Sequence, residues 1–157
     1  MSEMITIREA VREDCATILR FIQELALFEK EPEAVEATVA DLERDGFDQE
    51  PRRFEALIAE TKSGQPIGFA LFFHTYSTWR GRAGIHLEDL YVTPAMRKQN
   101  VGKQLMERVI EITQQRQYGR LELAVLDWNP ARGFYDRLDF IHMKEWLNYR
   151  IEFSRNG

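Results

Sequence analysis

Apolar positions repeat at helical spacing in three parts of the chain. The first repeat follows an acidic pair at residues 13–14 and predicts an amphipathic helix, with its apolar face at Ile18, Leu19, Ile22, Leu25 and Ala26. Thr38 and Asp41 have the spacing of a capping box and predict a short helix that stops at Gly46. The third repeat predicts a helix that reaches Tyr118 and has Gly119 as its C-cap; its apolar positions are Val101, Leu105, Val109 and Ile112.

Strand-like segments occupy the remaining apolar stretches. They predict strands at residues 4–8, 54–61, 67–74, 85–92, 121–126, 140–143 and 147–153. Asn129-Pro130 predicts the start of a short helix that ends near Leu138. The order β-α-α-β-β-β-α-β-α-β-β predicts a mixed α/β domain whose central sheet is largely antiparallel.

Length and composition favour one domain over residues 1–157, because the chain has 157 residues, 44% of them apolar, and no linker or repeat. Cys15 is the only cysteine, which excludes an internal disulfide and favours a reducing, cytoplasmic setting. The charged N-terminus is unlike a signal peptide, and no apolar run approaches 18 residues, so we expect no membrane partner.

The charge balance is acidic, with 21 Lys and Arg against 26 Asp and Glu, a net charge of -5. Binding to a nucleic-acid backbone normally needs a basic excess, so we expect no nucleic-acid partner. His74, His86 and His142 lack the spacing of metal ligands, and we expect no metal.

The segment between a predicted strand and the third predicted helix contains Arg97, Lys98 and Lys103. Free backbone N–H groups and the positive end of a helix dipole at such a turn bind pyrophosphate. An ordinary solvated helix start would carry the same basic residues, so both interpretations stay open here. The segment is not a Walker A loop, since Gln104 follows Gly102-Lys103, and the chain contains no GxGxxG.

Arg97-x-x-Asn100-x-Gly102, following Tyr91-Val-Thr-Pro94, resembles motif A of the GNAT acyl-CoA N-acetyltransferases. That motif usually reads Arg/Gln-x-x-Gly-x-Gly/Ala, and this chain departs from it at Asn100. Asparagine tolerates left-handed backbone angles, so the turn can survive. Further segments resemble the spermidine/spermine N-acetyltransferase-like branch: residues 14–26, 68–76 with Trp79, 87–92, and 127–129 with Phe134-Tyr135.

The resemblance runs from about Ile7 to Phe153 and implies the GNAT fold, an α/β (α+β) architecture with a mixed, mostly antiparallel sheet flanked by helices. It also implies acetyl-CoA as co-substrate, a homodimer, and a backbone N–H near Val92 as oxyanion donor. The residues expected to line the coenzyme are Leu90, Tyr91, Val92, Arg97, Lys98, Gln99, Asn100, Val101, Gly102, Lys103 and Asn129.

Acetyl transfer to an amine needs a base, because a free alkylammonium with a pKa near 10.4 is rarely neutral at pH 7. The resemblance selects Glu88 as this base, acting directly or through a water; a structural carboxylate is the alternative. Neighbouring strand residues point to opposite faces, so we expect Asp89 to face away and pair with a basic residue. His86 shares the face of Glu88 and could assist a proton relay.

The resemblance places the acid tyrosine at Tyr135, which would protonate the departing thiolate; a core role for the Phe-Tyr pair is the alternative. Cys15 lies within an apolar helix segment, and a core position is expected there in preference to a nucleophile. Asn129 can cap the last helix and contact the pantetheine arm at the same time.

By resemblance, the amine is bordered by Phe28, Glu29, Tyr76, Trp79, Glu88, Glu122, Leu123 and Ala124. Aromatic and acidic side chains suit a cationic aliphatic substrate, although a hydrophobic rim with solvated acids would look the same. The polyamine enzymes carry an acidic residue where this chain has Ser77, and Arg80 and Arg82 follow. Shorter diamines, lysine-like amino acids or thialysine are therefore favoured as the small-molecule substrate.

Three other functions stay open at the level of sequence: a protein or peptide amine acetyltransferase, a non-catalytic acyl-CoA-binding regulator, and an unrelated α/β binding module. The presence of both Glu88 and Tyr135 argues against the regulator.

Overall fold

A computed structural model describes residues 4–155. The chain divides into two compact units, the first ending at Ala124 and the second beginning at Val125. Among the described residues, no helix combines the length and the apolar character needed to cross a membrane.

The first unit is built on one five-stranded sheet. Its strands are β1 (Ile5–Glu9), β2 (Glu55–Thr61), β3 (Pro66–Ser77), β4 (Arg82–Val92) and β5 (Leu121–Leu123). They lie in the order β1-β2-β3-β4-β5; the first four run antiparallel to their neighbours and β5 is parallel to β4. The predicted mixed, mostly antiparallel sheet is confirmed.

The helices of this unit are α1 (Cys15–Phe28), α2 (Val39–Gly46) and α3 (Val101–Gln115). The capping box of α2 is confirmed: Thr38 Oγ1 accepts from the Asp41 N–H at 3.1 Å, and the Asp41 carboxylate accepts from the Thr38 N–H at 2.9 Å. These two reciprocal hydrogen bonds fix the start of α2.

The core joins α1 to the sheet through aromatic contacts. The Phe21 ring lies 5.8 Å from that of Phe69 and 5.7 Å from that of Tyr91, centroid to centroid. Cys15 is buried here, and burial raises the pKa of its thiol to about 11. The core role predicted for Cys15 is confirmed, because a thiol held protonated in apolar surroundings is a poor nucleophile.

The end of α3 differs from the prediction. The helix ends at Gln115, Gln117 takes the left-handed conformation (φ 58°), and the Gly119 N–H donates to the Ala83 carbonyl at 2.8 Å. The expectation that Gly119 is the C-cap is therefore wrong, because its N–H already belongs to the edge of β4.

The pairing of β3 with β4 contains a β-bulge that positions the candidate base. Leu71 lies opposite Asp89 and Phe72 lies opposite Leu87, so Glu88 is the extra residue on β4. Such bulges bend a strand and redirect its side chains, and they are frequent next to active sites.

In the second unit, helix α4 (Ala131–Arg137) begins next to Asn129, whose Oδ1 accepts from the Ala131 N–H at 2.9 Å. Asn129 thus bonds the first helical N–H, but the N-cap position belongs to Pro130, so the helix begins one residue later than predicted. The strand predicted to reach residue 126 ends at Leu123.

The prediction of strands at residues 140–143 and 147–153 is wrong as well, since the described part of this unit contains no strand. An alternating sequence specifies which side chains share a face, but a strand also needs a partner for its backbone groups.

Candidate active site

Three ionisable side chains of β4 lie around the bulge, namely those of His86, Glu88 and Asp89. Glu88 is exposed over 53% of its side chain, and its Oε2 lies 3.4 Å from His86 Nε2. The His86 ring stacks on Phe73 at 5.1 Å, which fixes its orientation. The pKa of His86 is raised, first by its hydrogen bond to Glu88. The expectation that His86 and Glu88 share a face is confirmed.

Asp89 does not have the basic partner predicted for it. Among residues 4–155 the structure records no ion pair of Asp89 with any Lys, Arg or His. Burial, together with the neighbouring carboxylates of Glu88 and Glu29, raises the pKa of Asp89 to about 7. The prediction assumed a regular strand, whereas the bulge leaves these carboxylates close enough to influence each other.

Glu29, Glu88 and Asp89 are called the acidic cluster from here on. Burial and Glu88 also raise the pKa of Glu29, which directly follows α1. Crowded carboxylates favour protonation of at least one member, and they attract a cation. The cluster can therefore hold an ammonium group and exchange a proton with it near neutral pH.

Beyond the bulge, two backbone N–H groups of β4 face the edge of the strand on which β5 lies. The Thr93 N–H donates to the Ile67 carbonyl at 2.9 Å while Val92 lies opposite Gly68. In an antiparallel pair, successive residues of a strand direct their N–H groups alternately toward and away from the partner strand. Since the Thr93 N–H faces β3, the N–H groups of Leu90 and Val92 face away from β3. Because β5 pairs with β4 only at residues 85–87, it does not pair with these two N–H groups.

The turn before α3 has the geometry of an anion site. Asn100 (φ 63°) and Lys98 (φ 73°) are left-handed, so asparagine supplies here the conformation for which the motif usually uses glycine. The first helical bond runs from the Gln104 N–H to the Asn100 carbonyl at 2.9 Å, and α3 begins at Val101.

The N–H groups of residues 101–103 are consequently left without helical acceptors at the positive end of the dipole. The buried Oε1 of Gln99 also has no hydrogen-bond partner in the described chain. Arg97, Lys98 and Lys103 add positive charge. The turn therefore fits the diphosphate of a coenzyme.

Arg97 is held by contacts that the sequence did not reveal. Its Nε donates to the Val92 carbonyl at 3.1 Å, and its guanidinium lies 5.3 Å from the Phe28 ring and 5.7 Å from the Tyr91 ring. The Tyr91 hydroxyl donates to Glu24 at 2.7 Å. Burial, and then Glu24, raise the pKa of Tyr91 to about 12.

Glu24 was missed as a member of this site, although its i, i+4 spacing to Phe28 on α1 places both residues on one face of the helix.

The predicted acceptor residues fall into two groups. Glu29 belongs to the acidic cluster, Glu122 lies opposite His86, and Leu123 lies opposite Leu87. Ala124 directly follows β5. Tyr76 and Trp79 instead lie at the β3–β4 hairpin and are exposed; the register puts Tyr76 opposite Ala83, about 16 Å along β4 from Glu88. Their place beside the amine stays a prediction.

Tyr135 and Asn129 lie in the second unit. The Tyr135 ring packs between Phe134 and Phe140, at centroid distances of 5.3 and 5.8 Å. Asn129 is buried. The acid role of Tyr135 and the pantetheine contact of Asn129 stay predictions.

Comparison with known proteins settles the family. The family model described as "Acetyltransferase (GNAT) family" matches residues 18–140. The chain belongs to the GNAT acetyltransferase family. It is accordingly a GNAT-family N-acetyltransferase, and the family implies the use of acetyl-CoA.

Relatives and solved structures agree with this GNAT membership. A thialysine N-epsilon-acetyltransferase of Bos taurus is 39% identical over 94% of this chain and 92% of its own length. A spermidine/spermine N(1)-acetyltransferase-like protein 1 of Homo sapiens is 40% identical over 92% of this chain and 22% of its own length. The crystal structure of a possible acetyltransferase from Clostridium difficile 630 has a TM-score of 0.77 at 22% identity, covering 98% of this chain and 100% of that one, which shows the shared fold.

Proposed function

We propose that this GNAT enzyme transfers the acetyl group of acetyl-CoA to a primary amine of a small diamine, polyamine or lysine/thialysine-like substrate, by direct attack in a ternary complex. The observation that carries the proposal is the acidic cluster at the β4 bulge, on the strand that leads into the anion-binding turn. One strand thereby carries a group that can deprotonate an ammonium and ends at a turn suited to a coenzyme.

On the acetyl-donor side, backbone groups would make most of the contacts with acetyl-CoA. The N–H groups of residues 101–103, with Arg97, Lys98 and Lys103, would hold the diphosphate of acetyl-CoA, which supplies the activated acetyl thioester when bound. Leu90, Tyr91 and Val92 would line the pantetheine, and the Val92 N–H would stabilise the developing oxyanion. Gln99 and Asn100 would shape the turn.

The acceptor side would bring the ammonium to the acidic cluster. Glu88 would accept its proton, directly or through a water, and Asp89 would share that proton. The neutral amine could then attack the acetyl carbonyl. Tyr135 is the proposed acid that would give its phenol proton to the departing thiolate, and the proton lost by the attacking nitrogen as the amide forms would restore the phenol.

The choice of a compact amine rests on two observations. Most of the relatives at 34–39% identity are thialysine N-epsilon-acetyltransferases. This chain also places Ser77 before the tryptophan of the β3–β4 hairpin, with the Ser77 Oγ accepting from the Arg80 N–H at 3.1 Å. A polar turn followed by Arg80 and Arg82 is less favourable for a long polycation than an acidic one.

A homodimer is part of the proposal, supported by the last part of the second unit. Leu147, Tyr149, Ile151 and Phe153 alternate with polar residues, and each side chain is 73% to 91% exposed. These four residues are called the C-terminal apolar series. Soluble monomers rarely expose so many large apolar groups together, and a second copy would cover them.

The function is tested by measuring thiol release from acetyl-CoA against thialysine, lysine, putrescine, spermidine and a lysine peptide. We expect turnover with one or more of the small amines. Turnover with the peptide alone would support the protein acetyltransferase, and coenzyme binding without turnover on any amine would support the regulator.

The roles of Glu88 and Tyr135 predict a distinct kinetic pattern. Glu88→Gln and Tyr135→Phe should each lower kcat about 10²- to 10⁴-fold, because each removes a proton-transfer group. The dissociation constant of CoA should change less than threefold, which calorimetric titration can check. A variant that keeps full turnover would remove that residue from the mechanism.

A further inference from the structure

The side chain of Arg97 contacts residues from α1 and β4. Phe28, in the last turn of α1, lies over one part of the guanidinium at 5.3 Å, and Tyr91 of β4 lies at 5.7 Å. The Arg97 Nε also donates to the Val92 carbonyl at 3.1 Å. A long, flexible side chain is thus held in one orientation by two rings and one hydrogen bond.

The two rings are themselves fixed by different means. Tyr91 is buried, and its hydroxyl donates to Glu24 at 2.7 Å, so its ring cannot move without breaking a hydrogen bond to a charged acceptor. Phe28 is 37% exposed, which leaves one side of the contact at the surface. Arg97 itself remains exposed, so its guanidinium is accessible to an anion in solution.

We propose that Phe28 is a positioning residue for Arg97, and that it contributes to coenzyme binding by holding the guanidinium ready for a phosphate oxygen. This inference rests on the proposed function, which places the diphosphate of acetyl-CoA at the turn that Arg97 begins. It gives Phe28, which the resemblance assigned to the amine, a role on the coenzyme side.

The physical basis is preorganisation. A free arginine loses rotamer freedom when it binds a phosphate, and that loss weakens binding. An arginine already restrained by an aromatic ring has lost part of that freedom before the coenzyme arrives. A cation–π contact at a partly exposed site is worth about 0.5–1 kcal/mol, which sets the size of the expected effect.

The test measures the dissociation constant of CoA by calorimetric titration for Phe28→Leu and Phe28→Trp, in the wild-type and Arg97→Gln backgrounds. Phe28→Leu keeps apolar volume but removes the ring, and should raise the dissociation constant about two- to fivefold. Phe28→Trp keeps an aromatic face and should stay within twofold of wild type. Leu27→Ala, at the exposed neighbouring position, is the matched control and should bind CoA as wild type does.

The Arg97→Gln background separates positioning from packing. If Phe28 acts through Arg97, Phe28→Leu should change CoA binding less than 1.5-fold once the guanidinium is gone. An equal loss in both backgrounds, or no loss in either, overturns the proposal. Failure of the wild-type protein to bind CoA would instead contradict the proposed function, so the two failures are distinguishable.

Discussion

At the scale of single residues, Asp89 shows how local geometry changes chemistry. The β-bulge keeps this carboxyl near Glu88 and Glu29 and without a basic partner in the described chain. Its identity was visible in the sequence, but its environment was not, because a bulge depends on the register of the opposite strand.

The raised pKa of Asp89 predicts that the stability of the native protein depends on pH. The unfolded chain loses this proton near pH 4, whereas the native protein keeps it to about pH 7. The native state therefore binds more protons across this window, and its stability falls as the pH rises. Asp89→Asn should stabilise the protein at pH 8, relative to wild type, by on the order of 4 kcal/mol more than at pH 4.

Chemical denaturation at pH 4 and pH 8 measures this difference for Asp89. The matched control is Asp127→Asn, which changes an exposed carboxyl in the same way, and it should leave the pH dependence of stability unchanged. Equal effects of Asp89→Asn at the two pH values would show that Asp89 ionises normally in the native protein.

Asn100 is the residue at which the chain departs from the usual motif. Its left-handed conformation strains most side chains but suits glycine, so Asn100→Gly should bind CoA within twofold of wild type. Asn100→Val should lose at least 1 kcal/mol of stability and bind CoA more weakly, because β-branched residues avoid this conformation. Titration with CoA and thermal unfolding check both; tight binding by the valine variant would contradict the assigned turn.

At the scale of elements, the close approach of β3 and β4 supports the coenzyme edge. A Cβ at Gly68 would lie 2.7 Å from the Tyr91 carbonyl oxygen, which is backbone and cannot rotate aside. Gly68→Ala should therefore shift β4 near Leu90 and Val92, cost on the order of 1–3 kcal/mol, and weaken CoA binding.

The control for Gly68→Ala is Gly119→Ala. The three atoms nearest to a Cβ at Gly119 all belong to side chains, the closest at 3.4 Å, so this variant should fold with little loss of stability. Comparable denaturation midpoints for the two variants would contradict the tight β3–β4 contact.

Predictability from sequence differed between the elements for physical reasons. The helices α1 and α2 follow from local periodicity and caps, which the chain itself encodes within a few residues. The strands predicted at 140–143 and 147–153 depended on a partner that no local pattern identifies. The contact between Phe28 and Arg97 joins residues far apart in sequence, so spacing could not reveal it.

At the scale of the whole molecule, the C-terminal apolar series predicts self-association. The wild-type protein should sediment as a dimer, and the double variant Tyr149→Asp with Ile151→Asp should shift toward the monomer, because charges replace apolar groups that the second copy would cover. Arg150→Ser changes the polar residue between Tyr149 and Ile151; this matched control should remain dimeric. A monomeric wild-type protein at micromolar concentration would contradict the proposed homodimer.

The most direct measurement is a crystal structure of the protein with bound CoA. It should place the diphosphate on the N–H groups of residues 101–103 and the pantetheine along β4 from Glu88 to Val92, with the thiol end near the acidic cluster. A coenzyme bound elsewhere on the molecule, or a turn too closed to admit the diphosphate, would contradict the account.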